Sequence, residues 1–190
     1  MLRLFIAVPV PSEIKKKIVA LIAEVGNFRN LADGIRPVPE ENWHFTLVFL
    51  GYQPESAVPA IKESLDNVLR LNINNKFTRL NLVKIEFEKL TYGPPGKTPR
   101  MVWLTVTKET SAALGDLKEA IEQELRRNGV KWQIENRHYQ AHLTLARFQA
   151  EAAEDLPAIE RDFEFSYLTA EVNLMRSNLK RTGAEYEILL

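Results

Sequence analysis

Cysteine is absent from all 190 residues of the chain. That removes disulfides, thiolate metal ligands and a cysteine nucleophile together. An excess of charge is missing as well, since 25 Lys and Arg balance 25 Asp and Glu. Nothing in the bulk composition demands a polyanionic partner, and a nucleic acid would have to be gripped by a local patch. Long apolar runs are lacking too. The opening stretch MLRLFIAVPVP is cut by Pro9 and Pro11 and runs into SEIKKKI, which suits neither a signal peptide nor a membrane span. It reads as the first strand of a cytoplasmic protein. Histidine is scarce, with only His44, His138 and His142.

What is present is ordinary for a globular protein: 45% hydrophobic and 26% charged residues. The length suits one domain, or two small lobes sharing an interface. Apolar patterning predicts a central strand over 2–10 and a helix over 13–25 capped by Ser12. After a loop over 26–39 come a strand over 44–50, a helix over 56–71 and a strand over 77–90. Beyond the turn TYGPPGKTP the order restarts, with a strand over 101–106, a helix ending at Gly129 and a strand from His142. A short helix near 156–161, a long strand over 163–174 and a last strand over 185–190 complete the pattern.

Two of these strands carry one signature, HFTLVFL from His44 and HLTLARF from His142. Alternation in a strand puts His44 on a face with Thr46, and His142 with Thr144. From Arg3 to His44 is 41 residues, and from Met101 to His142 is also 41, so one shift of 98 superposes both strands of each half. That spacing indicates an internal duplication, with a first repeat over about 1–90 and a second over about 101–190. The expected architecture is α+β and bilobal: two mainly antiparallel sheets flank a central cleft, with helices outside.

Taken singly, each histidine has an ordinary structural explanation. As equivalent points of a repeat facing one cleft, they suit displacement at a phosphodiester. One group takes a proton from the attacking oxygen while the other protonates the departing oxygen. Unperturbed imidazoles titrate near ~6.5, so one can be neutral and the other charged. Threonine hydroxyls can donate to the non-bridging phosphate oxygens.

The pair HFTLVFLG and HLTLAR resembles the two signature motifs of the two-histidine (2H) phosphoesterase superfamily, and within it the RNA 2′,3′-cyclic phosphodiesterase branch. RLFIAV, PRMVWL and LMRSNLKRTGAEYEIL carry the likeness to the whole chain, 1–190. The resemblance implies His44 and His142 as catalytic, Thr46 and Thr144 as phosphate-binding, and a phosphate contact from Arg147. It implies metal-independent hydrolysis of RNA or nucleotide 2′,3′-cyclic phosphate ends to 2′-phosphomonoesters, with no cofactor, membrane or obligatory protein partner. The alternatives are a ligase forming 2′–5′ RNA joins, a non-catalytic RNA-end-binding module and a metallohydrolase. Ala141 stands where relatives commonly have Pro, a change at the strand entry with little expected chemical effect.

Other features carry less. Strict alternation from His142 places Arg147 on the opposite face, so its role requires a bend. His138 lies i−4 to His142, which on a strand is roughly 13 Å, too far to share a metal ion. GKT in TYGPPGKTP lacks the first glycine and the following helix of a phosphate loop. Lys97 and Arg100, in that loop between the lobes, are able to lean over a bound RNA end, and Arg36 and Lys131 are candidates for the cleft rim without an assigned role. Trp43, Phe49, Trp103 and Tyr139 are able to stack on a base, although core packing is the more ordinary use of each.

Overall fold

The computed structural model describes residues 1–25, 34–71, 83–135, 137–149, 156–180 and 183–190. The first half comprises β1 (Leu2–Pro9), α1 (Ser12–Glu24), β2 (Arg36–Pro37), β3 (His44–Gln53), α2 (Val58–Leu71) and β4 (Val83–Gly93). The second comprises β5 (Met101–Val106), α3 (Lys108–Arg127), β6 (His142–Arg147), β7 (Arg161–Asp162), β8 (Ser166–Thr169), β9 (Asn173–Lys180) and β10 (Gly183–Ile188). The fold is α+β with two antiparallel sheets, as the patterning predicts.

The sheets do not follow the halves of the chain. The smaller has the order β10-β9-β1-β3 and the larger β2-β6-β5-β4-β7, with β8 also paired to β4. Thus β4, from the first half, lies beside β5, and β9, from the second, lies beside β1. Neither half closes a sheet alone. β1 is central, between β3 and β9, and Leu4, Ile6 and Val8 on its inner face are almost wholly buried. Each such burial stabilises the fold by about 1.5–3 kcal/mol. They join Ile14, Ile18 and Leu21 of α1 in a core that runs through both sheets and all three helices.

Several local expectations are corrected. α1 begins at Ser12 itself, and no side chain caps it; the Pro11 carbonyl accepts the Ile14 and Lys15 N–H groups instead. Pro11 therefore stands at the cap position and Ser12 is already helical. α3, by contrast, has a side-chain cap, with Thr107 Oγ1 accepting from the Thr110 N–H. No helix forms near 156–161. Pro157 lies in irregular chain whose carbonyl accepts the Tyr92 hydroxyl, and the segment ends in β7 against β4. The strand expected over 163–174 is two strands, because the chain leaves β4 after Thr169 and joins β1 from Asn173. Residues 77–82 of the expected strand and 26–33 of the expected loop lie outside the described residues. Among the described residues no helix is long and apolar enough to cross a membrane.

Candidate active site

Both His-x-Thr strands are interrupted by an extra residue, and this decides what the site contains. In β3, Ala7 pairs with Thr46 but Ile6 pairs with Val48, leaving Leu47 unmatched. Further on, Phe5 pairs with Phe49 but Leu4 with Gly51, which leaves Leu50 unmatched too and returns Tyr52 to the same face as Phe49. In β6, Trp103 pairs with Thr144 but Val102 pairs with Ala146, leaving Leu145 unmatched. Such bulges reverse the alternation beyond them. Phe49 therefore returns to the face of His44 and Thr46, and Arg147 returns to that of His142 and Thr144. The bend required for Arg147 is the bulge at Leu145. It is held from outside, since the Val38 N–H donates to the Leu145 carbonyl at 2.8 Å and the Trp43 indole N–H donates to the Val38 carbonyl at 3.0 Å.

Each imidazole is fixed in the same way. His44 Nδ1 lies 2.7 Å from the Asn42 carbonyl, and His142 Nδ1 lies 2.8 Å from the Gln140 carbonyl. A carbonyl only accepts, so Nδ1 carries a proton in both and the neutral ring keeps its lone pair on Nε2. His44 Nε2 takes the Thr46 hydroxyl at 3.0 Å. Asn42 and Gln140 are themselves related by the shift of 98. Asn42 is further anchored by its side-chain amide, which donates to the Ala184 carbonyl of β10 at 2.9 Å.

Behind each imidazole stands an aromatic ring from the neighbouring strand. Phe5 is tilted on His44 with centroids 4.9 Å apart, and Trp103 is stacked on His142 at 3.7 Å. Phe5 and Trp103 are again equivalent by the shift of 98. Trp103 is buried and its indole N–H has no partner among the described residues, so the ring is placed for its face. Gly93 makes the space, because a Cβ there would lie 2.2 Å from the Trp103 ring. Tyr186 completes a triangle with the Phe5 and His44 rings, edge-on to His44 at 5.2 Å and to Phe5 at 4.9 Å.

Burial pushes the His44 pKa down to about 4; the Asn42 carbonyl opposes this, while Arg147 and then His142 lower it further. His142 is lowered mainly by burial and also by Arg137 and Arg147, against the Gln140 carbonyl and Glu135. Arg147 thus acts on both imidazoles at once. Its one described side-chain hydrogen bond goes to the Met101 thioether at 3.4 Å, and no carboxylate neutralises it among the described residues. The resting site is two neutral imidazoles beside an unneutralised guanidinium, an arrangement that favours an anion.

The halves are also tied across the site. The Tyr139 hydroxyl, just before β6, donates to the Thr46 carbonyl in β3 at 3.1 Å. Tyr139 and Trp103, for which packing was the more ordinary expectation than base stacking, both serve to hold the site. Trp43 is likewise buried, whereas Phe49 remains exposed on the His44 face. Phe5, Asn42 and Gln140 were not anticipated, although the shift of 98 pairs each with a partner. His138 is exposed in the loop before β6. Among the described residues, no three His, Asp or Glu side chains gather where they could hold a metal ion. Arg36 pairs with Arg147 across β2 and β6, which puts a second cation at the rim.

The fold and this paired-histidine site define a phosphoesterase architecture. The model of the LigT-like phosphoesterases matches residues 8–86 and 104–186, and the chain belongs to that family, within the 2H superfamily. It is 28% identical over 191 residues to an RNA 2′,3′-cyclic phosphodiesterase of Archaeoglobus fulgidus, covering 99% of this chain and 98% of that one. It is 30% identical over 187 residues to that of Escherichia coli K12, covering 97% and 92%. Among solved structures, E. coli LigT complexed with 3′-AMP superposes with a TM-score of 0.74 at 26% identity, covering 100% of this chain and 95% of that one. The two matched segments are consistent with an internal duplication.

Proposed function

We propose that this chain hydrolyses terminal 2′,3′-cyclic phosphates of RNA to 2′-phosphomonoesters by metal-independent acid–base catalysis. The observation that carries the reading is the matched pair of imidazoles. Each has Nδ1 tied to the carbonyl two residues earlier and its lone pair on Nε2, on strands related by the duplication. One Nε2 takes the proton of water as its oxygen attacks phosphorus. The other, protonated, gives its proton to the 3′ oxygen as the P–O3′ bond breaks, leaving phosphate on the 2′ oxygen. Thr46 and Thr144 donate hydroxyls to the non-bridging oxygens, and Arg147 balances their charge. The substrate's negative charge offsets the cationic field of Arg147, so binding raises the imidazole pKa values and helps the acid acquire its proton.

Each proton-transfer role contributes typically 10²–10⁴-fold, so the pair supplies roughly 5–11 kcal/mol of barrier reduction. The repeats work as one unit over 1–190, because each exchanges strands with the other. The test is an oligonucleotide ending in a 2′,3′-cyclic phosphate, incubated with chelator present and the product phosphate located. Turnover to a 2′-phosphate is expected, lowered by orders of magnitude in His44→Ala and His142→Ala, with the residual rate of each variant lacking one limb of the pH–rate profile. Abolition by chelator, or an unchanged profile in both variants, would overturn the mechanism. Joining to an added 5′-hydroxyl RNA in place of hydrolysis would turn the reading to ligation.

A further inference from the structure

The face of the smaller sheet that carries His44 extends well beyond the site. β1 has no bulge, so Arg3, Phe5, Ala7 and Pro9 share one side, and their partners Tyr52, Phe49, Thr46 and His44 share it with them. From Pro9, opposite His44, to Arg3, opposite Tyr52, is six residues, or about 20 Å at ~3.3 Å each.

Two aromatic rings lie open along that distance, Phe49 at 40% exposure and Tyr52 at 64%. Arg3 sits between them. Its guanidinium lies 4.8 Å from the Phe49 centroid, and Nη1 donates to Ser177 Oγ at 2.9 Å. No carboxylate pairs with Arg3 among the described residues.

Charge is sorted between the two sides of the sheet. Tyr186 pairs with Ser177 and Ile188 with Met175, so Glu185 and Glu187 point to the opposite side. There they bind Lys180 at 2.5 Å and Arg176 at 3.6 Å. The His44 side of these four strands therefore presents aromatic and apolar groups, small polar groups and one unneutralised cation, without a carboxylate. At the far end of the sheet an open groove of about 510 Å³ runs from Arg3, Tyr52 and Leu179 over the edge to Arg176 and Lys180 on the other side.

We infer that this face is a track for the single-stranded nucleotides preceding the RNA terminus, with a distal stacking subsite formed by Arg3 and Tyr52. The inference rests on the RNA-end reading of the site. A 2′,3′-cyclic phosphate closes the 3′ end, so the rest of the chain leaves in the 5′ direction only. Exposed rings interleaved with an arginine are the chemistry by which proteins hold single strands. A 20 Å track accommodates up to about six stacked nucleotides at ~3.4 Å each.

The experiment compares a mononucleotide 2′,3′-cyclic phosphate with cyclic-phosphate-ended RNAs of two, four, six and eight nucleotides. The expected result is that kcat/KM rises with length and levels off by six. In Arg3→Glu and in the exposed Tyr52→Ala, the ratio of octamer to mononucleotide kcat/KM falls about tenfold. A ratio independent of length, or one equal in the variants and the parent protein, overturns the track and leaves the RNA-end reading standing. Fluorescence anisotropy with a 2′-phosphate-ended octamer tests the track apart from turnover. Binding about tenfold weaker in both variants supports it, and equal binding overturns it. If no RNA of any length is turned over, the RNA-end reading itself falls, whatever the binding shows.

Discussion

Replacing Arg147 with Gln separates two effects that this side chain combines. The first is contact. The guanidinium faces the site with only a thioether as its described hydrogen-bond partner, so a bound phosphate gains a charge-assisted bond worth about 1.5–3 kcal/mol. Its loss lowers kcat/KM by roughly 10- to 150-fold. The second effect is field. Arg147 helps hold both imidazoles below 6.5, His44 at about 4. A cation disfavours the imidazolium form, so removing it raises both values. The kcat/KM profile of an acid–base pair peaks midway between the two free-enzyme pKa values. The parent optimum is therefore expected below 6.5, and the Arg147→Gln optimum moves up towards it. Arg147→Lys keeps the charge but not the planar fork, so it retains the parent optimum while recovering only part of the lost kcat/KM. The assay is initial rates on a cyclic-phosphate-ended oligonucleotide from pH 4.5 to 8. An Arg147→Gln optimum that stays in place, with kcat/KM within twofold of the parent, would refute both the facing of Arg147 and its effect on the histidines.

Gly93→Ala forces the Trp103 ring off His142, since its Cβ would lie 2.2 Å from that ring; overpacking costs about 1–3 kcal/mol, and kcat is expected to fall at least tenfold with KM little changed. Gly115→Ala is the contrasting case within α3, where the new Cβ meets Tyr139 at an ordinary 3.6 Å; thermal melts should show a gain of about 0.5–1 kcal/mol from helix propensity. Tyr139→Phe removes the bond to the Thr46 carbonyl, which should lower stability by about 0.5–1.5 kcal/mol and reduce kcat more than it alters KM. His44 titrates near 4 in the folded protein against 6.5 unfolded, so its contribution is intact above 6.5 and is lost as pH falls from 6.5 towards 4. The loss is about 3 kcal/mol at most. Melts of His44→Gln should therefore decline less between pH 7 and pH 4.5 than those of the parent; equal declines would contradict the shift.

The repeat was legible because catalysis and packing each leave a period. His-x-Thr on an apolar strand marks a face, and the 41-residue spacing marks equivalence. Pairing between the halves left no such mark. Apolar residues fall at odd positions from Phe163 to Tyr167 and at even positions from Leu168 to Leu174, so the only trace of the change of sheet is a one-residue phase shift inside an otherwise strand-like run. The helix expected near 156–161 failed because Pro157 and the edge of β4 prevailed over a short apolar spacing. Ser12 looked like a cap because hydroxyl residues favour that position; Pro11 took it, since a cap's carbonyl suffices to accept the first intrahelical bonds.

The bulges at Leu47 and Leu145 explain why alternation alone misplaces two residues that the sequence did offer. Strict alternation assigns Phe49 and Arg147 to the faces away from the histidines, and an inserted residue returns both to the site. The inserted residues are leucines, as apolar as their neighbours, so nothing in composition announces them. Their effect is to place unlike groups at like positions, because Phe49 and Arg147 are related by the same shift of 98 that relates the histidines. Proton transfer needs two similar groups, and the duplication supplies them with matched tautomers. Holding a terminus in one orientation needs two different groups, one for a ring and one for a charge. The bulges put Phe49 in one repeat and Arg147 in the other at such equivalent positions, while the paired imidazoles and their carbonyl anchors stay the same.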